Sequence, residues 1–339
     1  MEKEILQRQG RVLLPAIAYG DAAGLPVETL SAEQIKAKHP LGIHELIPTK
    51  ENPFFGSAEH PGTWSDDTQL SLAVAKALIK AKGFDMTAMA EAHLEAYDET
   101  DYIERERDGV LMKVKRGWGG STTNAMDKLH AGVSPYASGT VGGEGNGVLM
   151  KMAPLSYLQS VRRTPVAEVY TQLDQLTTMT HDSNLSRIMS RVHGDVLGYL
   201  LRTEQFERKT FMSVLYASLA LHGFMSRDIN DLYDLFAYLE KPVTHDTILE
   251  NTDGKGFHAP QTLAMAYGAF LVHDGVFTPS VYEAVNLGGD TDSIASIVAT
   301  MSAFKTKGIL RMPIDHQNLE RIDMVKSVSR KLVATAFKG

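Results

Sequence analysis

Residues 291–304 read TDSIASIVATMSAF, and this stretch decides the fold. It has the length of a helix, and small or apolar residues fill most of its positions. A helix that is apolar on most faces packs inside a protein rather than on its surface. Residues 260–272, PQTLAMAYGAFLV, have the same character. We therefore expect two buried helices, with the other helices packed around them.

Helical periodicity extends over much of the chain. Apolar residues recur at three- and four-residue spacing in four further segments, residues 67–82, 166–180, 184–201 and 318–337. Alternating runs typical of strands are scarce, and the mixed-charge run at residues 104–116 is interpreted as a solvated helix face. No linker, repeat or low-complexity tract divides the chain. The sequence predicts an all-α protein, a single compact multi-helix domain over residues 1–339.

The composition is that of a soluble globular protein, with 339 residues, 43% hydrophobic and 22% charged. The 34 basic and 41 acidic side chains give 34 − 41 = −7, which argues against non-specific binding to nucleic acid. The absence of cysteine excludes disulfides and thiolate metal sites. No apolar run approaches the length of a membrane span, and the N-terminus does not have the pattern of a secretory signal. We expect a cytoplasmic protein without a membrane partner.

Acidic residues cluster beside two predicted helices. Ser65, Asp66 and Asp67 precede one helix, and GGDTDS at residues 288–293 opens another. Such residues cap helices, because their side chains accept hydrogen bonds from free backbone N–H groups. Clustered carboxylate and hydroxyl oxygens also bind hard cations such as Mg²⁺ or Mn²⁺. At this point both interpretations stand, a pair of helix caps or a paired-metal site.

Two other features could bind a ligand. The glycine-rich stretch GTVGGEGNG at residues 139–147 could turn backbone N–H groups towards an anion, although a flexible loop explains it equally well. His181-Asp182 and His273-Asp274 are His-Asp pairs of the kind found in all-α metal phosphohydrolases, and each could also be a surface turn. The twelve histidines form no HExxH motif, so a cation site here would use oxygen ligands.

The motifs together resemble those of a known family. They occur in this order: GDAAGLPVE (20–28), WSDDT (64–68), RGWGGSTT (116–123), GNG (145–147), Thr180-His181 and GGDTDS (288–293). In this order they are similar to the ADP-ribosylglycohydrolases, which include the dinitrogenase-reductase-activating glycohydrolases and animal ADP-ribosylhydrolases. The resemblance runs from about residue 18 to residue 313. It implies an all-α fold with a central cleft for two Mg²⁺ or Mn²⁺ ions.

The resemblance also implies roles for individual residues. The implied metal ligands are Ser65, Asp66, Asp67, Asp290, Asp292 and Ser293. The implied ligand-binding residues are Gly145, Asn146 and Gly147, which would cradle the ADP-ribose diphosphate, and His181. Glu28 would lie at the edge of the metal site. Many family members have threonine where this chain has Ser65 and Ser293, and many have arginine where it has Lys151.

The activity that the resemblance implies is hydrolysis at C1″ of the distal ribose. An ADP-ribosylated protein would be the substrate and ADP-ribose the product, with Asp66, Asp67 or Glu28 as general acid or base. One alternative is an all-α metal phosphohydrolase that uses a His-Asp pair. Another is a relative that binds ADP-ribose without catalysis. The oligomeric state and the modified side chain stay open.

Overall fold

The computed structural model describes residues 2–52, 60–100, 102–107, 110–226, 229–310 and 312–338. Helix dominates this part of the chain, which confirms the all-α prediction. Its helices are α1 (Glu2–Gly24), α2 (Ala32–Lys38), α3 (Asp66–Ala81), α4 (Met86–Glu99), α5 (Gly120–His130), α6 (Ala153–Arg162), α7 (Val166–Thr178), α8 (Asn184–Arg202), α9 (Arg208–His222), α10 (Ile229–Ala237), α11 (His245–Asn251), α12 (Ala259–Val272), α13 (Phe277–Asn286), α14 (Thr291–Lys305) and α15 (Ile322–Ala336).

The core lies around α14. All residues of α14 from Thr291 to Phe304 are buried, and α12 is buried along most of its length, as the apolar sequences predict. Helix α1 lies directly against α14. A Cβ atom on Gly20 would come within 2.3 Å of the Ala295 carbonyl oxygen, and one on Gly24 within 2.3 Å of the Thr291 carbonyl. Glycine is therefore required on α1, because a side chain there would separate the two helices.

The six segments with helical patterns all form helices, namely α3, α7, α8, α12, α14 and α15. Their ends agree with the predicted ones within a few residues, and Ser65 begins α3 as its N-cap. Within the described ranges, no helix is both long enough and apolar enough to pass through a bilayer.

The interpretation of residues 104–116 as a helix face was wrong. β1 (Tyr102–Arg107) and β2 (Val110–Lys115) form an antiparallel pair in which Tyr102 faces Lys115. Residues 108–109 and the side chains of residues 102–114 lie outside the described part. In the sequence, Asp108-Gly109 is a dipeptide typical of two-residue hairpin turns, and this signal favours strands over a charged helix.

A second, parallel pair of short strands has a direct bearing on function. β3 (Thr140–Val141) lies beside β4 (His181–Asp182), with Thr140 paired to His181. The Thr140 N–H donates to the Thr180 carbonyl at 3.0 Å, and the Gly142 N–H donates to the Asp182 carbonyl at 2.9 Å. This pairing holds His181 next to the glycine-rich stretch, 40 residues earlier in the chain.

Candidate active site

Backbone pairing brings Glu28 beside the GGDTDS segment. The Thr29 N–H donates to the Gly289 carbonyl at 2.7 Å, and the Gly289 N–H donates to the Leu30 carbonyl at 2.8 Å. Gly289 has φ +79°, and a Cβ there would come within 2.2 Å of the Lys255 carbonyl oxygen. Thr29 is β-branched, yet it has φ +69°, a conformation that such residues rarely adopt without support from their surroundings. The fold therefore fixes this turn, and with it the position of Glu28.

Five carboxylates converge at the first turns of α3 and α14. Asp66 and Asp67 begin α3, Asp290 and Asp292 begin α14, and Glu28 lies at the adjoining turn. All five are buried. Glu28, Asp290 and Asp292 each offer a ligand atom, and these atoms lie within 4.8 Å of one another. The structure thus brings residues more than 200 positions apart into one acidic cluster.

The electrostatics of this cluster fit a bound cation. Burial, and then the charge of Asp292, raise the pKa values of four carboxyl groups well above the usual range: Glu28, Asp66, Asp67 and Asp290. Within the described part of the chain, the buried Glu28 Oε2 atom has no hydrogen-bond partner. Carboxylates this close repel one another unless a positive charge compensates them, and hard divalent cations prefer oxygen ligands. The donor set therefore suits Mg²⁺ or Mn²⁺.

Helix capping alone does not explain the cluster. The Ser65 hydroxyl caps α3 by accepting from the Asp67 N–H at 3.3 Å. At α14, by contrast, the N-cap residue Asp290 makes no side-chain capping bond. Its Oδ2 atom instead accepts a hydrogen bond from the Asn146 side-chain amide at 2.7 Å. Of the two interpretations of the sequence, the structure favours the cation site.

A further carboxylate, Asp21 on α1, was given no role by the sequence analysis. It is fully buried, and its carboxylate accepts hydrogen bonds from the Ser65 N–H at 2.8 Å and from the Thr68 hydroxyl at 2.6 Å. Burial and the charge of Asp292 raise its pKa to about 7. Asp21 therefore anchors the turn that presents Asp66 and Asp67. Its signal in the sequence is an aspartate inside the otherwise apolar C-terminal half of α1.

Serine hydroxyls connect α14 to α3. The Ser293 hydroxyl donates to Asp67 Oδ2 at 3.2 Å, and the Ser296 hydroxyl donates to Asp67 Oδ1 at 2.6 Å. Ser296 lies three residues after Ser293, so helical spacing places the two hydroxyl groups on the same face of α14. Both oxygens of Asp67 are thereby engaged, which fixes its orientation in the cluster.

The glycine-rich stretch forms part of the wall of the site, next to the acidic cluster. The Asn146 N–H donates to the Phe257 carbonyl at 3.3 Å, and the Asn146 side-chain amide reaches both Asp290 and the Gly256 carbonyl. At Gly147, a Cβ atom would come within 2.9 Å of His181 Cε1. The residues predicted to cradle a ligand therefore lie together and adjoin the acidic cluster.

These walls enclose a cleft of about 390 Å³. Phe257 at its wall is 44% exposed, whereas Trp118 is almost buried and donates its indole N–H to Gln69 at 2.6 Å. The cleft is lined by Glu28, Thr29, Asp66, Asp67, Gly117, Trp118, Gly119, Gly120, Ser121, Thr122, Gly145, Asn146, Gly147, Met150, His181, Phe257, Asp290, Asp292 and Ser293.

The two His-Asp pairs do not form metal sites of their own in the described part of the chain. Asp182 forms an ion pair with Arg187 at 2.6 Å, and His273 contacts Glu283 at 3.1 Å. His181 lines the cleft, but its Nδ1 atom is hydrogen-bonded to the Thr180 hydroxyl. The acidic cluster is thus a better cation site than either pair.

Gly117 should be sensitive to substitution. It has φ +78°, and a Cβ there would come within 2.4 Å of Asp66 Oδ1. We expect Gly117→Ala to displace the Asp66 carboxylate and weaken Mg²⁺ binding about tenfold or more, equivalent to about 1.4 kcal/mol. Titration calorimetry with Mg²⁺ measures this effect. Gly83→Ala is the control, because the nearest atom to its Cβ is Nη1 of Arg162 at 3.4 Å, an ordinary van der Waals contact. Equal affinities in the two variants would contradict the prediction.

Together, the fold and the site define a predominantly helical protein whose cleft is lined by carboxylates suited to cations and by an adjoining glycine-rich loop. The chain belongs to the ADP-ribosylglycohydrolase family, whose family model matches residues 5–305. This membership confirms the resemblance seen in the motifs, and it supports hydrolase activity on ADP-ribose linkages.

Individual relatives cover most of the chain. The ADP-ribosylarginine hydrolase Tri1 of Serratia proteamaculans is 25% identical over 296 residues, which span 87% of this chain and 70% of the relative. An uncharacterized protein of Archaeoglobus fulgidus is 24% identical over 312 residues, 88% of each chain. The solved structure of an ADP-ribosylglycohydrolase-related protein complex has the same fold, with a TM-score of 0.70 and 23% identity over 99% of this chain and 100% of that chain.

Proposed function

We propose that this protein is a metal-dependent ADP-ribosylhydrolase that removes ADP-ribose from modified protein side chains. The observation that carries the proposal is the cleft, in which buried carboxylates face the Gly145–Gly147 loop. ADP-ribose fits this cleft, because its diphosphate would contact the loop and its distal ribose would contact the carboxylates. The similarity to an ADP-ribosylarginine hydrolase favours arginine as the modified residue.

Two Mg²⁺ or Mn²⁺ ions would be held by oxygen atoms of the acidic cluster. The ligands would come from Ser65, Asp66, Asp67, Asp290, Asp292 and Ser293, with Glu28 at the edge of the site. Such ions, when bound, orient sugar hydroxyl groups and increase the acidity of water. In this role the serine hydroxyls would replace the threonine hydroxyls common in the family, since both supply one oxygen.

Backbone N–H groups would hold the diphosphate. Gly145 and Gly147 line the cleft beside the N-terminus of α5, where Gly119 is the N-cap and residues 119–122 face the same space. Free N–H groups at a helix start and in a glycine-rich loop favour anions. The Phe257 ring, which is partly exposed at the cleft wall, offers a stacking surface for the adenine base.

Glu28 is the best of the three candidate general acids or bases. Both oxygens of Asp67 accept hydrogen bonds from serine hydroxyl groups. Asp66 Oδ1 lies so close to Gly117 that a Cβ atom there would come within 2.4 Å of it. The Glu28 Oε2 atom, by contrast, has no hydrogen-bond partner among the residues that the structure describes. We propose that this oxygen accepts a proton from the attacking water as the water oxygen bonds to C1″, while the released side-chain atom leaves with the electron pair of the broken bond and takes up a proton from solvent. General acid–base catalysis of this kind contributes about 10²–10⁴-fold to a rate.

The decisive experiment compares substrates and products. Proteins or peptides ADP-ribosylated on arginine, on serine and on other side chains are incubated with Mg²⁺, and in parallel with a chelator. We expect free ADP-ribose to appear with Mg²⁺ and to be lost with the chelator. Release of inorganic phosphate would support the phosphohydrolase alternative. Tight binding of ADP-ribose without turnover on any substrate would identify a non-catalytic binding protein.

A further inference from the structure

The cleft is backed by a buried lysine that the proposed reaction does not use. Lys151 follows the glycine-rich loop, and its side chain is fully buried. Its ammonium group donates a hydrogen bond to the Thr180 hydroxyl at 3.1 Å. Burial lowers the pKa of Lys151 to about 7, while the negative charge of Asp66 acts in the opposite direction. Burying an ammonium group costs free energy unless hydrogen bonds or opposite charges compensate it, so the contact of Lys151 with Thr180 requires an explanation.

Hydrogen bonds connect Lys151 through the Thr180 hydroxyl to His181. An ammonium group is only a donor, so the Thr180 oxygen accepts from it. The single hydroxyl proton of Thr180 is then free for His181 Nδ1, which lies 2.9 Å away. The Thr180 oxygen has a second lone pair, so the direction of this contact is part of the proposal below, in which the hydroxyl donates and His181 Nδ1 accepts. Burial, and then the charge of Lys151, lower the pKa of His181 to about 3, so its ring is neutral, and with Nδ1 as the acceptor its one proton lies on Nε2.

The Nε2 atom of His181 faces the glycine-rich loop. It lies 3.3 Å from the position that a Cβ atom would take on Gly147, and 3.6 Å from the corresponding position on Gly145. Both glycines lack that atom, so space remains between the ring and the loop. A ligand oxygen there would meet an N–H donor from His181 as well as backbone N–H groups.

We propose that Lys151 is a positioning residue that acts through the Thr180 hydroxyl to hold His181 in its Nε2–H tautomer. The assignment of the tautomer rests on contacts within the chain, namely those of Thr180 with Lys151 and with His181. Its use rests on the proposed function, in which His181 Nε2–H donates to a phosphate or ribose oxygen of ADP-ribose. Without the ammonium, the Thr180 hydroxyl could accept from Nδ1–H equally well, and His181 would then offer the ligand an acceptor in place of a donor.

The first test is nitrogen NMR of the full-length protein with ¹⁵N-labelled histidine, at a pH below the Lys151 pKa of about 7. In the wild type we expect a protonated Nε2 and an unprotonated Nδ1 at His181. In Lys151→Met, which has a similar length, we expect a mixture of the two tautomers. His193, whose Nδ1 contacts the Tyr267 hydroxyl at 3.1 Å, is the internal control and should not change.

The second test measures ligand binding and catalysis. We expect Thr180→Val to raise the Kd for ADP-ribose and the KM for substrate about 5- to 10-fold, the effect of one lost hydrogen bond, with a smaller change in kcat. Thr180→Ser keeps the hydroxyl and should retain the wild-type tautomer and affinity. Equal affinities for the valine and serine variants would overturn the role of the hydroxyl.

Two NMR outcomes would overturn the proposal independently of any activity. One is a proton on Nδ1 of His181 in the wild type, a measurement that needs no variant to fold. The other is an unchanged tautomer in a folded Lys151→Met protein. If the wild type hydrolyses no ADP-ribose linkage, the proposed function fails while the tautomer assignment can still hold. The two failures are therefore distinguishable.

Discussion

Asp290→Asn is expected to lower the rate of ADP-ribose release by about 10³-fold or more, even at saturating Mg²⁺. Asp290 offers one of the three ligand atoms that lie within 4.8 Å of one another, and it also holds the Asn146 side chain in the glycine-rich loop. Its loss would disturb cation binding, sugar orientation and the adjoining glycine-rich loop together. Turnover of an ADP-ribosylated protein, followed as free ADP-ribose, measures the effect. Asp66→Ala should behave similarly.

The control experiment separates catalysis from folding. Asp98→Asn removes a carboxylate from an exposed pair with His130, and it should keep wild-type turnover. In the presence of a chelator, Asp290→Asn should unfold at the same temperature as the wild type or a higher one, because one of several repelling charges is gone. Near-normal turnover of Asp290→Asn with saturating Mg²⁺ would show that the acidic cluster is not the catalytic cation site.

Removal of the cation is expected to make the protein lose stability as the pH rises from about 5 to about 8. Burial raises the pKa values of the cluster carboxyls in the folded state, and that of Asp21 to about 7. In an unfolded chain they titrate near about 4. Between these values the folded protein binds more protons than the unfolded chain, so the free energy of unfolding falls as the pH rises. A bound divalent cation offsets this loss, because it compensates the ionised carboxylates.

Thermal unfolding with a chelator and with Mg²⁺, at about pH 5 and about pH 8, measures this effect. A cation at about 100 times its Kd raises the free energy of unfolding by about 2.7 kcal/mol. We expect the difference in unfolding temperature between the Mg²⁺ and chelator samples to be larger at the higher pH. A monovalent salt of equal ionic strength is the control for screening. A difference that is the same at both pH values would show that these carboxyls do not carry raised pKa values in the metal-free protein.

Local patterns in the sequence predicted much of the helical structure. The Ala-rich stretches at residues 260–272 and 291–304 are buried helices, since a segment without a polar face has no stable place at the surface. The paired strands β1 and β2 were missed because they are defined by pairing with each other, which the periodicity of one segment does not reveal. The Asp108-Gly109 dipeptide was the available signal.

The sequence by itself determined the chemistry that is available. It identified clustered aspartates with neighbouring hydroxyl groups, the absence of thiolates, and motifs whose order resembles the family to which the chain belongs. Oxygen-rich segments of this kind predict a hard-cation site wherever they meet, because ligand preference depends on the donor atoms. The individual metal, ligand and catalytic roles assigned from the motifs stay predictions until the variants are measured.

Only the tertiary structure decided which of these groups meet. Glu28 reaches Asp290 through backbone pairing of two turns, and Asp21 anchors the start of α3 from a different helix. The hydrogen bonds from Lys151 to Thr180 and on to His181 likewise join a loop to a separate strand. Such contacts depend on how the helices pack, and on the close approach of α1 and α14 that Gly20 and Gly24 of α1 permit. Spacing along one segment carries no information about them, because the partners are far apart in the chain.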